Sequence, residues 1–239
     1  MKKYAVITGA SAGLGVEFAK RLSAKGYRLI LVARRKECLQ KLAGHLKTEC
    51  KVIAADLTME SECTRVYDLI KDKEIEIFIN NAGFGDCGKF TETSLDKEMD
   101  MIQLNIKAVH FFTKRILQNM QKRDSGYILN VASCAGLMPG GPYMATYYAT
   151  KAYVTSFTRA VAEELRECGS QVYVGCLCPG PVNTEFNHVA NVKFLMRGIS
   201  AGYCVRYALN EMARRKVVII PAFIMKLAMC FGKFLPGNI

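Results

Sequence analysis

The chain has 239 residues, of which 51% are hydrophobic. This length suits one α/β domain, and the apolar content is sufficient for a large buried core. No repeat, low-complexity tract or Pro/Gly/Ser-rich linker divides the sequence, so we predict a single domain over residues 1–239. The formal net charge is +12. Because the basic residues are scattered, they favour a solvated surface over nucleic-acid binding, although an anionic membrane surface or an acidic substrate carrier would also attract them.

The ten cysteines do not follow the pattern of a disulfide scaffold or of a zinc site. Most lie in apolar segments, as Cys176 and Cys178 do, and no pair of Cys-x-x-Cys steps is present. The histidines, His45, His110 and His188, lack metal-ligand spacing, so no metal is expected. Reduced thiols are typical of the cytoplasm, where we expect this protein to reside.

Two apolar stretches imitate targeting or membrane segments. The N-terminus places two lysines before apolar residues, as a signal peptide does, but it soon reaches the glycine-rich segment 9–15, which an h-region does not contain. Near the other end, residues 217–225 are apolar until Lys226 interrupts them, and this run is too short to cross a bilayer that requires about 20 residues. We therefore expect neither export nor stable membrane insertion.

Apolar runs of strand length alternate with amphipathic helical patterns along the chain. After the first run, Leu14, Phe18 and Leu22 recur at four-residue spacing, and Gly26 suits a helix C-cap. Most of the strand-like runs are continuously apolar, as strands covered on both faces are. The pattern predicts a doubly wound (Rossmann) α/β fold, with three α/β/α layers around a central parallel sheet of about seven strands. The predicted strands span 4–8, 29–33, 52–55, 75–79, 127–132, 172–177 and 217–220, with long helices over 95–120 and 145–168.

A glycine-rich turn follows the first predicted strand and opens the first helix. Gly9, Gly13 and Gly15 have the spacing G-x-x-x-G-x-G, which is neither the common dinucleotide spacing nor a Walker loop. Glycine lets a pyrophosphate approach the backbone, and the helix N-terminus offers unpaired N–H groups to the anion. Such a turn could be structural, but its place between a strand and an amphipathic helix predicts nucleotide binding by this loop, which includes Ser11 and Leu14.

The end of the second predicted strand indicates which nucleotide binds. An NAD site places an acidic residue about 20 residues after the glycines, where it holds the ribose 2′-hydroxyl. Here Ala33 occupies that place, and Arg34 and Arg35 follow. A guanidinium fork suits a 2′-phosphate, and Ser11 could add a donor, so the sequence predicts NADP(H) rather than NAD(H). The alternative is that the two arginines form a solvated strand exit.

Tyr147 and Lys151 lie four residues apart on a predicted helix and therefore share one face. A tyrosine with a pKa near 10 is a poor acid–base catalyst at neutral pH. A neighbouring ammonium favours the phenolate, so we expect Lys151 to lower the pKa of Tyr147. A single Tyr-x-x-x-Lys pattern is weak evidence, but neither Tyr143 nor Tyr148 has a lysine four residues on. Position 147 is therefore the candidate acid–base residue.

Taken together, these residues resemble the short-chain dehydrogenase/reductase family, in its NADP-preferring type. The resemblance covers nearly the whole chain, and its motifs stand in family order and spacing. It implies hydride transfer between nicotinamide and a carbonyl or alcohol carbon. The motifs are residues 8–15, Asp56-Leu57, Asn80-Asn81-Ala82-Gly83, Asn105, Ser133, Tyr147 with Lys151, and residues 178–184.

The resemblance implies four catalytic roles. Tyr147 would protonate the carbonyl oxygen during reduction or deprotonate the alcohol in reverse. Ser133 would donate a hydrogen bond to the same oxygen and stabilise its developing charge. Lys151 would lower the tyrosine pKa and bind the nicotinamide ribose, and Asn105 would hold a water molecule in a proton relay from Lys151 to solvent.

The resemblance also implies a set of cofactor contacts. Asp56 would reach the adenine, and Asn81 and Gly83 would line the ribose side of the cleft. Val182 and Thr184 would fix the carboxamide, so that one face of the nicotinamide meets the substrate. The remaining cofactor-binding positions are Gly9, Ser11, Gly13, Leu14, Gly15, Arg34, Arg35, Leu57, Ala82, Tyr147, Lys151, Pro179 and Gly180.

Substrate preference is expected to depend on a lid at about residues 185–202, the variable segment that follows the Pro-Gly turn in this family. Its apolar residues suit a hydrophobic carbonyl or alcohol compound, but they could equally pack against the core. The apolar residues of the lid are Phe186, Phe194, Leu195 and Met196, and those expected on the opposite wall are Met138, Tyr143 and Met144.

The first functional hypothesis is an NADP-dependent carbonyl reductase or alcohol dehydrogenase. A second enzyme hypothesis is a 3-oxoacyl-carrier-protein reductase, because a basic surface would suit an acidic carrier protein or coenzyme A. The third is a non-catalytic regulator that senses NADP(H), which retention of Ser133, Tyr147 and Lys151 disfavours. The resemblance further implies a homodimer or homotetramer. The apolar tail 221–239 is expected to cover the substrate mouth or form a subunit contact, and a membrane-surface patch is the alternative.

Overall fold

Seven parallel strands form the centre of the protein in a computed structural model that describes residues 3–186, 190, 192 and 198–221. Their order across the sheet is β3-β2-β1-β4-β5-β6-β9, and every neighbouring pair is parallel. The short strands β7 and β8 pair with each other beside the main sheet. The strands are β1 Tyr4–Thr8, β2 Arg28–Ala33, β3 Cys50–Ala54, β4 Ile75–Asn80, β5 Tyr127–Val131, β6 Tyr173–Leu177, β7 Val182–Asn183, β8 Ile199–Ser200 and β9 Val218–Ile219.

Helices cover both faces of the main sheet, and most residues of its five inner strands are accordingly buried. On one face Phe18, Leu22 and Leu209 pack against the strands, and on the other face Phe112 and Leu165 do so. The predicted three-layer fold with its seven-stranded parallel sheet is therefore confirmed. The helices are α1 Gly13–Ala24, α2 Lys36–Gly44, α3 Glu60–Ile70, α4 Leu95–Ile102, α5 Val109–Gln121, α6 Ala145–Glu167 and α7 Ala201–Ala213, with a π-helix over Gln103–Ala108 and a 3₁₀ turn over Cys134–Leu137.

Most predicted boundaries agree with the structure to within two residues. The main difference is the predicted helix 95–120, which the π-helix Gln103–Ala108 divides into α4 and α5. The predicted lid residues Phe194, Leu195 and Met196, as well as His188, lie outside the described residues, as does the tail beyond Pro221. Among the residues described, no helix is both long and apolar enough to span a bilayer.

A buried polar network ties the sheet to two helices of one face. Asn80 Nδ2, at the end of β4, donates to Asn130 Oδ1 on β5 at 2.8 Å and to Thr113 Oγ1 on α5 at 3.1 Å. Asn130 Nδ2 donates in turn to Thr158 Oγ1 on α6 at 3.0 Å. All four residues are at most 2% exposed, so water cannot replace a missing partner. The network fixes the ends of β4 and β5 relative to the helix that carries Tyr147.

Replacing Asn130 with Ala should lower the free energy of unfolding by about 2–3 kcal/mol, because it leaves Asn80, Thr113 and Thr158 with unsatisfied groups. Urea unfolding measures this difference. The matched control is Asn210→Ala on the exposed side of α7, which should change stability by less than about 0.5 kcal/mol. Equal effects of the two substitutions would contradict a structural role for the network.

Candidate active site

A cleft of about 440 Å³ lies at the carboxyl ends of the central strands. Its volume is within the range of about 300–1,000 Å³ that is usual for small-molecule and cofactor sites. Every site residue predicted from the sequence lines it except Gly15 and Asn105. The predicted residues that line it are Gly9, Ser11, Gly13, Leu14, Arg34, Arg35, Asp56, Leu57, Asn81, Ala82, Gly83, Ser133, Tyr147, Lys151, Pro179, Gly180, Val182 and Thr184.

The glycine loop requires its glycines for two different reasons. Gly9 and Gly13 have φ values of +64° and +52°, in the left-handed region that side chains disfavour. A Cβ at Gly15 would collide with the carbonyl oxygen of Gly9 and lie 2.8 Å from Cα of Ala10. Gly15 therefore acts by close packing of loop and helix, which explains why it does not line the cleft.

The N-terminus of α1 is open to an anion. Ala12 is the N-cap and has no side chain that can accept from the first helical N–H groups, and the first turn contains no acidic residue. The partial positive charge of the helix end therefore stays uncompensated by the side chains of its own cap and first turn. Together with the left-handed glycines, this end of the cleft can bind a phosphate group through backbone N–H groups.

Asn81 joins the glycine loop to the end of β4. Its Nδ2 donates to the carbonyl oxygens of Thr8 at 3.0 Å and of Gly9 at 3.1 Å. In return, Thr8 Oγ1 accepts from the backbone N–H groups of Asn81 and Ala82, at 2.9 and 3.0 Å. Asn81 lines the cleft as predicted, but its side-chain amide mainly fixes the position of the glycine loop relative to β4.

The two arginines after β2 lie in different surroundings. The side chain of Arg34 is 70% exposed, and its Nη1 lies 3.9 Å from Oδ2 of Asp56. The side chain of Arg35 is 50% exposed, and its Nη2 lies 3.0 Å from Oε2 of Glu185 on the other wall of the cleft. Arg35 also donates from Nε to Ser11 Oγ and from Nη2 to the Ser11 carbonyl oxygen, both at 3.3 Å. The sequence does not signal the contact with Glu185, because the two residues are 150 positions apart.

Ser133, Tyr147 and Lys151 meet at the other end of the cleft. Tyr147 lies in the first turn of α6 and is 8% exposed, while Lys151 lies one turn further along and is 5% exposed. Lys151 Nζ is 5.8 Å from the centre of the Tyr147 ring and donates to the carbonyl oxygen of Val131 at 2.9 Å. Ser133 forms a hydrogen bond with the Tyr147 side chain, and its Oγ accepts from the N–H of Ala135 at 3.2 Å. The structure thus brings these three predicted catalytic residues together.

Burial is the largest influence on the pKa values of Tyr147 and Lys151. It raises the pKa of the Tyr147 phenol, and the hydrogen bond with Ser133 only partly opposes this effect. It also lowers the pKa of Lys151 to about 8. The expectation that Lys151 lowers the pKa of Tyr147 is therefore wrong for the protein alone, because withdrawing a phenolate from water costs more than the hydrogen bond with Ser133 offsets. At pH 7 Tyr147 is a neutral phenol, and Lys151 is still mostly an ammonium.

Asn105 is completely buried in the π-helix, beneath the floor of the cleft. Its Oδ1 accepts from the N–H of Phe84 at 3.1 Å, and its Nδ2 donates to the carbonyl oxygen of Phe84 and to Thr150 Oγ1, at 2.9 and 3.1 Å. A Cβ at Gly83 would lie 2.8 Å from Asn105 Oδ1. The side chain therefore holds the loop after β4 against α6, next to Lys151.

Apolar side chains border the end of the cleft that contains Tyr147. Met144 and Phe186 line it as expected. The Phe186 ring lies 5.5 Å from that of Tyr147, measured between their centres. Met138 and Tyr143, which we expected on the same wall, are 42% and 60% exposed and lie outside the cleft. For Tyr143 the reason lies in the turn before α6, where it has a φ of +66° and the following residue, Met144, enters the cleft instead.

The sequence gives no signal for the close approach of Gly85 to this end of the cleft. A Cβ on Gly85 would lie 3.1 Å from Tyr147 Cδ2 and 2.9 Å from Phe186 Cζ. Such approaches cannot be read from sequence spacing. The additional lining residues are Phe84, Cys134, Ala135 and Tyr148. Within the described part of the chain, no group of three or more His, Cys, Asp or Glu side chains is arranged to hold a metal ion.

Comparison with known proteins places this arrangement in a family. An uncharacterized oxidoreductase of Staphylococcus epidermidis is 36% identical over 185 residues, which cover 77% of this chain and 79% of the relative. A very-long-chain 3-oxoacyl-CoA reductase of Pyrenophora tritici-repentis is 34% identical over 203 residues, covering 81% of this chain but only 59% of that protein.

Among solved structures, a short-chain dehydrogenase from Sphingobium yanoikuyae in complex with NADPH matches with a TM-score of 0.87 and 28% identity, over 97% of this chain and 93% of that one. The family model described as short chain dehydrogenase matches residues 3–193. The chain therefore belongs to the short-chain dehydrogenase family of oxidoreductases.

Proposed function

We propose that this protein is an NADP(H)-dependent oxidoreductase that interconverts a carbonyl and an alcohol, with Tyr147 as the acid–base residue. The observation that carries the proposal is the meeting of Ser133, Tyr147 and Lys151 in one buried corner of a cleft whose other end is a glycine loop with an open helix N-terminus. The similar structure from Sphingobium yanoikuyae, which contains NADPH, supports the choice of cofactor.

The residues of the cleft fit a dinucleotide. The pyrophosphate would bind at the N-terminus of α1, beside Gly9 and Gly13. The 2′-phosphate would bind Arg34 and Arg35. Lys151 would bind the nicotinamide ribose. Asp56, Asn81 and Gly83 would lie along the adenosine and ribose, and Val182 and Thr184 beside the carboxamide, as the family resemblance implies. When bound, the reduced cofactor supplies a hydride to the carbonyl carbon of the substrate.

Tyr147 and Ser133 act on the substrate oxygen. A neutral phenol is the form that can give a proton to this oxygen as the carbonyl is reduced, so the raised pKa of Tyr147 suits reduction at neutral pH. Ser133 Oγ accepts from the N–H of Ala135, and its O–H, which pairs with Tyr147 here, would donate instead to the developing charge on the substrate oxygen. Both groups are buried, so they act without competition from bulk water.

Lys151 would return the proton to Tyr147. With a pKa of about 8, its amine can both hold and release a proton near neutral pH. Its hydrogen bond to the carbonyl oxygen of Val131 keeps the amine beneath the tyrosine ring. We assign Asn105 a positioning role in this proton path, because its side chain fixes the loop at Gly83 beside the amine.

The second candidate function is reduction of a 3-oxoacyl thioester. The apolar wall formed by Met144, Tyr148 and Phe186 suits an acyl chain, and the relative from Pyrenophora tritici-repentis is named for this activity. A panel of 3-oxoacyl-CoA, 3-oxoacyl carrier protein, aldehydes and ketones, followed by NADPH absorbance, separates the two candidates. Turnover of small carbonyl compounds without turnover of thioesters would eliminate the second.

We also propose that the protein forms a homodimer or homotetramer in the cytoplasm. His110, Tyr153 and Phe157 form a stacked aromatic cluster between α5 and α6, and His110 and Tyr153 are both exposed. Such a cluster on the face of two helices suits a subunit contact. Every cysteine in the described part of the chain is unpaired, which supports a reducing compartment. Light scattering would test the assembly, and a monomer would refute it.

Tyr147→Phe should reduce kcat by about a thousandfold, because it removes the proton donor and leaves the ring in place. NADPH binding, measured by the fluorescence of the bound cofactor, should stay within about threefold of wild type. The matched control is Tyr148→Phe, which removes a neighbouring phenol from the same cleft and should retain most of the activity. Retained activity in the Tyr147 variant would contradict the assignment.

Arg34→Ala should weaken NADPH binding by about tenfold or more, since a hydrogen bond to a charged group contributes about 1.5–3 kcal/mol. NADH binding should change by less than about twofold, because NADH has no phosphate at the 2′ position. Fluorescence titrations with each cofactor measure both constants. Equal losses for NADPH and NADH would remove the 2′-phosphate argument.

Lys151→Met should change how stability depends on pH. Burial lowers the folded-state pKa of Lys151 to about 8 from the usual 10.5, so the unfolded chain binds more protons between these values. The buried charge therefore destabilises the wild type fully below pH 8, and this cost disappears as the pH rises towards 10.5. Relative to the variant, the wild type should gain on the order of 2 kcal/mol between pH 7 and pH 9.5.

Urea unfolding at several pH values measures this relative gain. The matched control is Lys122→Met, at an exposed position just after α5, whose stability should follow that of the wild type across the same pH range. If the free energy of unfolding changed with pH in the same way for the wild type and the Lys151 variant, the folded protein would not lower the pKa of Lys151, and the prediction would fail.

A further inference from the structure

The contact between Arg35 and Glu185 crosses the cleft. Arg35 follows β2 on one wall, whereas Glu185 follows β7 on the other, and both residues line the cleft. Arg35 Nη2 and Glu185 Oε2 are 3.0 Å apart, while Nε and Nη2 of the same guanidinium donate to Ser11. The guanidinium is thus already held by protein groups on two sides.

The neighbouring residue, Arg34, is more exposed than Arg35 and, among the residues that the structure describes, has no carboxylate within hydrogen-bond distance. Its side chain is 70% exposed, and the distance of 3.9 Å to Asp56 is too long for a hydrogen bond. A phosphate could therefore bind Arg34 without displacing a hydrogen-bonded partner. A phosphate that binds Arg35 through Nη2 must instead compete with the carboxylate of Glu185, which already holds that donor.

The charges make this competition specific for a phosphate. A 2′-phosphate and the Glu185 carboxylate are both anions, and they would share one guanidinium at close range. A cofactor with a free 2′-hydroxyl brings no charge to this place and leaves the ion pair intact. At this place Glu185 therefore penalises the cofactor that carries a 2′-phosphate and not the one with a free 2′-hydroxyl.

We propose that Glu185 is a specificity-determining residue that reduces the preference for NADPH over NADH by competing with the 2′-phosphate for Arg35. The proposal rests on the proposed function, since it requires the 2′-phosphate to bind at the end of β2. The cofactor preference is then set by two opposing contributions, the attraction of Arg34 and Arg35 and the competition from Glu185.

The surroundings of Glu185 decide which measurement is informative. The preceding residue, Thr184, lies against the glycine loop, where a Cβ on Gly13 would be 3.2 Å from Thr184 Cβ. The following residue, Phe186, packs on the ring of Tyr147. A substitution at position 185 can therefore disturb turnover through Phe186, so binding constants and not rates are the proper readout.

The test is Glu185→Gln, which keeps the shape of the side chain and removes its charge. Titrations by cofactor fluorescence should show NADPH bound about three- to tenfold more tightly, the size expected for release of one exposed ion pair and removal of one repulsion. NADH binding should stay within about twofold. Adenosine 2′-monophosphate and adenosine 5′-monophosphate serve as minimal probes, and only the former should bind more tightly.

The matched control is Glu163→Gln, which removes a similarly exposed carboxylate that pairs with Arg166 on α6, away from the cleft. It should change neither cofactor affinity. Unchanged NADPH affinity in the Glu185 variant, or equal tightening of NADPH and NADH, would overturn the proposal.

A double-mutant cycle with Arg35→Ala completes the experiment. Without Arg35, the Glu185 substitution should no longer raise NADPH affinity, and persistence of the full effect would overturn the proposal. If Arg35→Ala weakens NADPH selectively while Glu185→Gln has no effect, the competition is wrong and the proposed NADP(H) dependence stands. If neither Arg34→Ala nor Arg35→Ala changes the preference between the cofactors, both the NADP(H) assignment and this inference fail.

Discussion

The proposed chemistry of the cleft depends on one buried amine, that of Lys151. Burial lowers its pKa to about 8, and the carbonyl oxygen of Val131 holds it below the Tyr147 ring. Placing a charge there destabilises the fold, but the same desolvation brings the amine close to neutral pH, where it can exchange protons. The surrounding structure, including the network at Asn80 and Asn130, provides the stability that this site does not.

Close backbone packing is what brings the separate loops to this amine. The loop after β4 packs tightly against the π-helix and α6. A side chain at Gly83 would collide with Asn105 of the π-helix, and a side chain at Gly85 would crowd Tyr147 of α6. The π-helix carries Asn105 beneath the same loop, where the amide holds the backbone of Phe84 on both its N–H and its carbonyl. Helix irregularities of this kind often occur at functional sites, and here the π-helix positions Asn105 under the proton path that we propose.

Much of this arrangement could be predicted from the sequence because its signals are local. The glycine turn, the absence of an acid after β2 and the four-residue spacing of Tyr147 and Lys151 each follow from neighbouring positions. The contact of Arg35 with Glu185 could not be predicted, since it joins residues 150 positions apart. The raised pKa of Tyr147 could not be predicted either, because the spacing of two residues does not reveal how completely water is excluded from them. Tyr143 lies outside the cleft for a similar reason, since a left-handed turn has no signature in a non-glycine residue.

The two ends of the cleft use charge in opposite ways. At the end that we propose for the adenosine, ion pairs such as that of Arg35 with Glu185 are half exposed, so each is weak and can be exchanged for a ligand. At the end that we propose for the substrate, Tyr147 and Lys151 are almost completely buried, so their interactions are strong and their positions fixed. The proposed selection among cofactors requires partners that can be displaced, whereas the proposed proton transfer requires groups that do not move. Solvent exposure therefore differs between the two ends of the cleft, and Phe186, which follows Glu185 and packs on the ring of Tyr147, connects them.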